Sequence, residues 1–229
     1  MTALTPVINR TLSSQVAEQL RSFIVGGTVQ PGERLTETAL AEQLNVSRGP
    51  LREAVLKLID EGLIVKEVYK GIRVRPTDSK ELHELYSMRS TLERFAFREA
   101  WAKRTKEDFA ELDLRIARLA AARDDGDMAT VIDHEIALHS WVFELSGHTL
   151  LQASWTNFAP LVRLYLSIHQ QKFGTHGVFM PENIEYCELA KGSDLSAMLA
   201  HVDEHMKLGL EEIIKSVGFQ QAATKTKKK

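Results

Sequence analysis

The chain has 229 residues, 44% of them hydrophobic, and a formal net charge of −2. That length and composition supply a sizeable core for one or two domains, and a single cysteine, Cys187, excludes an internal disulfide and suits a reducing cytoplasm. No apolar run approaches the ~20 residues of a membrane span, and the N-terminal stretch lacks the continuous apolar core of a signal peptide.

Charge is unevenly distributed. Residues 1–75 hold ten Lys/Arg against eight Asp/Glu, and residues 76–223 hold fifteen against twenty-three. The last six residues, TKTKKK, add four lysines. A slightly basic head on an acidic body points to the head as the part that meets a polyanion.

Leu12, Val16, Leu20 and Ile24 recur every fourth residue, which predicts a helix with one buried face. Gly26-Gly27 end it, and Pro31-Gly32 make a turn. Thr36 can cap a short helix, ETALAEQL, with Ala39, Leu40 and Leu44 inward. After Asn45-Val46 a third helix runs to about Glu61 with the stripe Leu51, Ala54, Val55 and Leu58. LIVKEVYKGIRVR then reads as a hairpin turning at Lys70-Gly71. Helix, helix, tight turn, helix and hairpin make a winged helix-turn-helix.

Beyond Pro76 the pattern is helical, with Asp78 or Ser79 as the first cap. Six helices are expected near 79–103, 105–123, 127–146, 148–173, 181–191 and 194–217, as an antiparallel bundle. The fourth, apolar on several sides from Leu150 and Leu151 onward, should run through its middle, kinked at Pro160. The fold class is mainly α. Its parts are a flexible arm (1–9), the winged head (10–75), a linker (76–79), the helical domain (80–218) and a disordered basic tail (219–229).

The third helix opens with Ser47, Arg48, Gly49 and Pro50, and carries Arg52 one turn on from Arg48. Proline costs little in a first turn, whose N–H groups lack internal partners. It also removes a donor that a capping serine often uses, so Ser47 caps through another N–H or turns its hydroxyl outward. Gly49 bares the backbone. Such an end offers a positive dipole, a hydroxyl and two guanidinium forks to phosphates and guanine edges. A stable helix-turn-helix with solvated arginines is the plainer alternative.

PGERL, LAEQLNVSRGPLREAVLKLIDEGLIV and YKGIRV together resemble the DNA-binding domain of GntR-family transcription regulators, over residues 10–75. The resemblance implies that Arg34, Ser47, Arg48, Gly49 and Arg52 face DNA, with Lys70 and Gly71 near the minor groove.

In the body, Glu135 and His139 are four apart and share a helix face with Val131, Leu138, Val142 and Leu145. His205 follows the seam Met198, Val202 and Gly209. Ionisable groups on inward faces need partners, and a divalent metal or a simple His–Glu hydrogen bond would serve. Arg89 could clamp a carboxylate bidentately or pair with Glu93 one turn on. The other histidines, among them His148, His169 and His201, read as surface or packing residues. MRSTLERFAFREA, HEIALHSWVFELSGH and DLSAMLAHVDEHMKLGL resemble the all-helical (FCD-type) ligand-binding domain of the FadR branch of that family, in its shorter six-helix version. The resemblance implies a metal set at Glu135, His139, Asn183 and His205. Glutamate and asparagine stand there where many relatives place aspartate and histidine. Zinc, nickel or manganese is the expected ion, the oxygen donors favouring manganese. Arg89 is implied at the effector pocket.

The expected protein is a cytoplasmic, homodimeric, ligand-responsive regulator, a repressor by preference. Its partners are a palindromic double-stranded DNA operator and a small carboxylate effector. The alternatives are a metal-dependent enzyme acting on a small carboxylic acid with an appended helix-turn-helix, and a structural adaptor. No H-E-x-x-H, nucleophile elbow or phosphate loop supports the enzyme.

Overall fold

In a computed structural model of the chain, residues 11–217 are described, apart from 68, 178 and 179. The expected arm (1–9) and tail (219–229) lie outside the described residues. The chain divides into two compact units between Pro76 and Thr77.

The first unit comprises α1 (Leu12–Val25), β1 (Arg34–Leu35), α2 (Glu37–Gln43), α3 (Arg48–Asp60), β2 (Ile64–Glu67) and β3 (Gly71–Val74). Thr11 caps α1, its hydroxyl accepting from the Ser14 N–H. Val16, Leu20 and Ile24 bury against the α3 stripe, of which Leu51, Ala54 and Leu58 are wholly buried. Leu12, expected on the same face, is 53% exposed, because the packed stripe begins a turn later. Ala39 is likewise exposed and Leu44 only half-buried. A seven-residue helix can turn only a narrow face inward, and in α2 that face is Leu40. The Arg21 guanidinium grips Glu61 through two bonds of 2.8 and 2.5 Å and ties α1 to the end of α3.

The expected hairpin is β2–β3, and β1 joins it to give an antiparallel sheet of order β1-β3-β2. Arg34 stands opposite Arg73, and Leu35 opposite Ile72. PGERL therefore contains a strand as well as a turn. Two residues are too short for alternation to reveal it.

The second unit holds α4 (Ser79–Ala100), α5 (Lys106–Asp125), α6 (Met128–Ser146), α7 (Thr149–Phe173), α8 (Met180–Lys191) and α9 (Leu195–Val217), the six expected helices. Asp78 caps α4 by accepting from the Lys80 N–H, and Thr105 and Asp108 cap α5 reciprocally. The stretch 101–103, read as the end of the first body helix, is instead a tight 3-10 turn. α7 runs as one helix through Pro160. It buries Leu151, Trp155, Val162 and Tyr165 but leaves Leu150 74% exposed. The core centres on Phe97, Leu112, Leu138, Val142, Tyr186, Met198 and Val202. Among the described residues, no helix is long and apolar enough to cross a membrane.

Candidate functional site: an exposed helix end and a buried donor cluster

In the first unit, α3 begins at Arg48, and the second of the two possibilities for Ser47 is the one seen. Ser47 is the N-cap with extended backbone and makes no side-chain capping bond. Pro50, the third helical residue, has no N–H to offer it. Arg48, Gly49 and Arg52 are exposed, and nothing lies within 4 Å of where a Gly49 Cβ would stand. The first turn holds no acidic residue. Arg52 is 67% exposed, and its Nε donates to Glu37 Oε2 of α2 at 3.4 Å, leaving its remaining N–H groups outward.

The wing tip lies one residue earlier than expected, at Tyr69-Lys70, before Gly71 opens β3. The Lys70 N–H closes the turn on the Glu67 carbonyl, and Gly71 has φ +85°, a conformation that glycine adopts without strain. Tyr69 also has positive φ, +63°, and its side chain is fully exposed. The sequence reading did not single it out. Its only signal was an aromatic ring beside a turn glycine. Lys70 and Arg34 are exposed, Arg34 on β1.

In the second unit the four expected metal residues converge. One donor atom each from Glu135 and His139 of α6 and His205 of α9 lie within 4.8 Å of one another. Asn183 of α8 donates from Nδ2 to Glu135 Oε2 at 2.8 Å. His139 Nε2 comes within 3.4 Å of Glu135 Oε1, and the His139 and His205 rings are 5.1 Å apart. His139 Nε2, His205 Nδ1 and Asn183 Oδ1 are all buried without a hydrogen-bond partner.

The centre of this network is Glu93, which is wholly buried. Its Oε1 meets His139 Nδ1 and accepts from the Tyr186 hydroxyl, both at 2.7 Å. Its Oε2 stands 3.6 Å from Arg89 Nε. The sequence reading placed Glu93 only as a partner for Arg89. Arg89 is itself buried and lies between the rings of Tyr86 and Trp155, 5.9 and 5.5 Å away. The pairing of Arg89 with Glu93 is therefore present. Arg89 also lines a small cavity of 30 Å³ with Tyr86, Glu135, His169, His205 and Met206. His169, expected at the surface or in packing, is buried on that cavity wall, with Nδ1 2.6 Å from Ser216 Oγ. His148 caps α7 instead, its ring nitrogen accepting from the Leu151 N–H.

The electrostatics follow from burial and neighbours. Burial alone would raise Glu93, but His139, Arg89 and the Tyr186 hydroxyl outweigh it and hold the carboxyl at about 2. Burial would likewise raise Glu135, and the nearby His139 ring and other positive charge lower it. Burial, then the neighbouring His139, push His205 down to about 3, so it is a neutral imidazole at ordinary pH. Burial would lower His139, but the carboxylates of Glu93 and Glu135 raise it. A carboxylate bonded to Nδ1 fixes the ring and aims Nε2 at the cluster, the usual support for a metal-binding histidine. A carboxylate, two imidazole nitrogens and an amide oxygen, three of those atoms unsatisfied, are a donor set that fits a divalent ion.

A three-stranded winged head with a bare, arginine-flanked helix end, on a chain whose second unit is an all-helical bundle, defines a DNA-binding transcription regulator. The particular family follows from comparison: residues 12–74 match the bacterial regulatory proteins of the gntR family, and residues 84–208 match the FCD domain. The chain belongs to the GntR family. It is 32% identical over 206 residues to the uncharacterised HTH-type transcriptional regulator YdhC of Bacillus subtilis, covering 86% of this chain and 92% of that one. It is 25% identical over 200 residues to the gluconate operon transcriptional repressor of the same organism, covering 83% and 80%. The fold of Escherichia coli McbR/YncC superposes with a TM-score of 0.75 at 22% identity, covering 90% of this chain and 99% of that one. The matched domains and relatives are regulators, so the enzyme alternative is set aside.

Proposed function

We propose that this regulator is a homodimeric repressor. It reads a palindromic operator through the α3 amino end and the wing. Arg48, Arg52 and Arg34 supply the guanidinium groups, the Ser47 hydroxyl and Gly49 backbone permit close approach, and Tyr69 and Lys70 form the wing tip beside Gly71. Repressors among the relatives support the sign. Self-association is supported by apolar side chains left at the surface of the second unit. Met88 and Phe95, seven residues apart on one face of α4, are 46% and 37% exposed. The Phe95 ring packs on His148, two residues before the exposed Leu150. Two-fold pairing of such faces would present two heads to two half-sites. A protein acting on DNA in this way works in the cytoplasm.

The second unit senses a small organic acid through a divalent ion held by Glu135, His139 and His205, with Asn183 beside them. The observation that carries this reading is the set of buried polar atoms without a hydrogen-bond partner, His139 Nε2, His205 Nδ1 and Asn183 Oδ1. Unsatisfied polar atoms in a dry core are costly, and an ion would satisfy them together. Zinc, nickel or manganese suits two imidazoles with oxygen donors. When bound, the ion supplies a positive centre for a carboxylate, and Arg89 on the cavity wall can hold the acid's second oxygen. A cavity of 30 Å³ has room for water or a single ion, so an acid enters only as the walls part.

Metal analysis joined to thermal melting tests the sensor. The purified chain is expected to hold about one divalent ion, and His139→Ala with His205→Ala to abolish it. Adding the ion at about 100 times its Kd should stabilise the wild type by about 2.7 kcal/mol and leave the double variant unmoved. A wild type whose melting no ion and no small acid alters would refute the sensor and leave the operator reading standing.

A further inference from the structure

We propose that the seam between α4 and α9, at Tyr86 and Met206, is the route by which a divalent ion reaches the buried donor cluster. The route rests on the sensor reading for its purpose. The cavity beside Glu135 and His205 is narrow and lined by side chains of α4, α6, α7 and α9. On the outer side of the α4–α9 seam lies a groove of about 400 Å³. Tyr86 and Met206 line both spaces, and each is only 3% exposed. These two side chains are the wall between groove and cavity. Met206 follows His205 directly in α9, so the wall stands against one of the donors.

Both side chains can move without loss of the helices that carry them. Methionine has three freely rotating bonds and adapts its shape readily. A tyrosine ring swings about two torsions if it has room. Gly209, one turn on from Met206, lets the ring lie close against α9: a Cβ there would stand 3.2 Å from Tyr86 Cε1. Glycine inside a helix is unfavourable relative to alanine, and clearance for the ring accounts for its place here. α9 thus places a donor and a movable wall side by side, with a glycine against the facing ring one turn on.

Met206→Ala opens this wall, while Ile213→Ala removes a buried side chain that lines the cavity but not the groove. Two rates are read in the full chain: Co²⁺ release into excess chelator, and deuterium exchange at the C2 carbon of the His205 ring in metal-free protein. Met206→Ala is expected to speed both by about tenfold, equivalent to ~1.4 kcal/mol of barrier, with Co²⁺ affinity unchanged. Ile213→Ala is expected to leave both rates as in the wild type. Met206→Val, a smaller deletion, is the variant to use if the alanine form does not hold its fold. Equal acceleration by the two deletions, or none by Met206→Ala, overturns the route. Ring exchange decides the route even in a protein that binds no ion, an outcome that counts against the metal alone.

Discussion

Glu93→Ala is expected to destabilise the second unit by about 3–5 kcal/mol, the usual cost of removing one partner from a buried ionic network. The carboxylate is wholly buried and meets three side chains at once: His139, Tyr186 and Arg89. Its loss leaves a guanidinium, an imidazole and a phenol without their shared acceptor in a buried site. Calorimetric melting of the full chain measures it, with an expected fall of roughly 10 °C in the body transition. The effect has a defined pH window. Glu93 titrates at about 2 in the fold against an ordinary 4.5, so its ionised form contributes stability above 4.5. That contribution is lost as the pH falls from 4.5 toward 2, and the wild type and Glu93→Ala therefore converge in acid. A variant as stable as the wild type at pH 7 would show that Glu93 is not the hub of the core.

Arg52→Ala is expected to cost about 1–3 kcal/mol against the best operator and to relax sequence preference at one position of each half-site. The side chain is two-thirds exposed, one turn into α3, and steadied by a single 3.4 Å contact with Glu37. Its outward N–H groups are free to pair bidentately with guanine O6 and N7. Titrations on the operator and on single-base variants, at two salt concentrations, separate the two roles open to it. Uniform weakening on every sequence, with the salt slope smaller by about one, would make Arg52 a phosphate contact and move base reading elsewhere.

Several features were legible in the sequence because they are local. The α3 stripe, Leu51 to Leu58, and the helix start at Ser47 follow from periodicity and from the chemistry of proline in a first turn. The body helices follow from their helical pattern beyond Pro76 and from a cap such as Asp78. Glu135 and His139 could be paired by their four-residue spacing alone, while the place of Asn183 beside them came from family resemblance. What escaped depends on tertiary packing. Glu93 has the spacing of an ordinary surface pair with Arg89, and only the bundle around it turns that pair into a buried hub. His169 reads as a packing residue until α9 brings Ser216 against it. β1 is two residues long and exists only because β3 lies beside it. Leu150 looked like core because apolar residues surround it in sequence, yet it faces outward.

The central claim is that the amino end of α3 reads DNA, and selection from random duplexes by the full chain tests it most directly. The selected sequence is expected to be palindromic and to bind about 10³-fold or more tightly than a scrambled duplex of the same length at the same salt. Equal affinity for selected and scrambled duplexes, whatever its strength, would contradict the account.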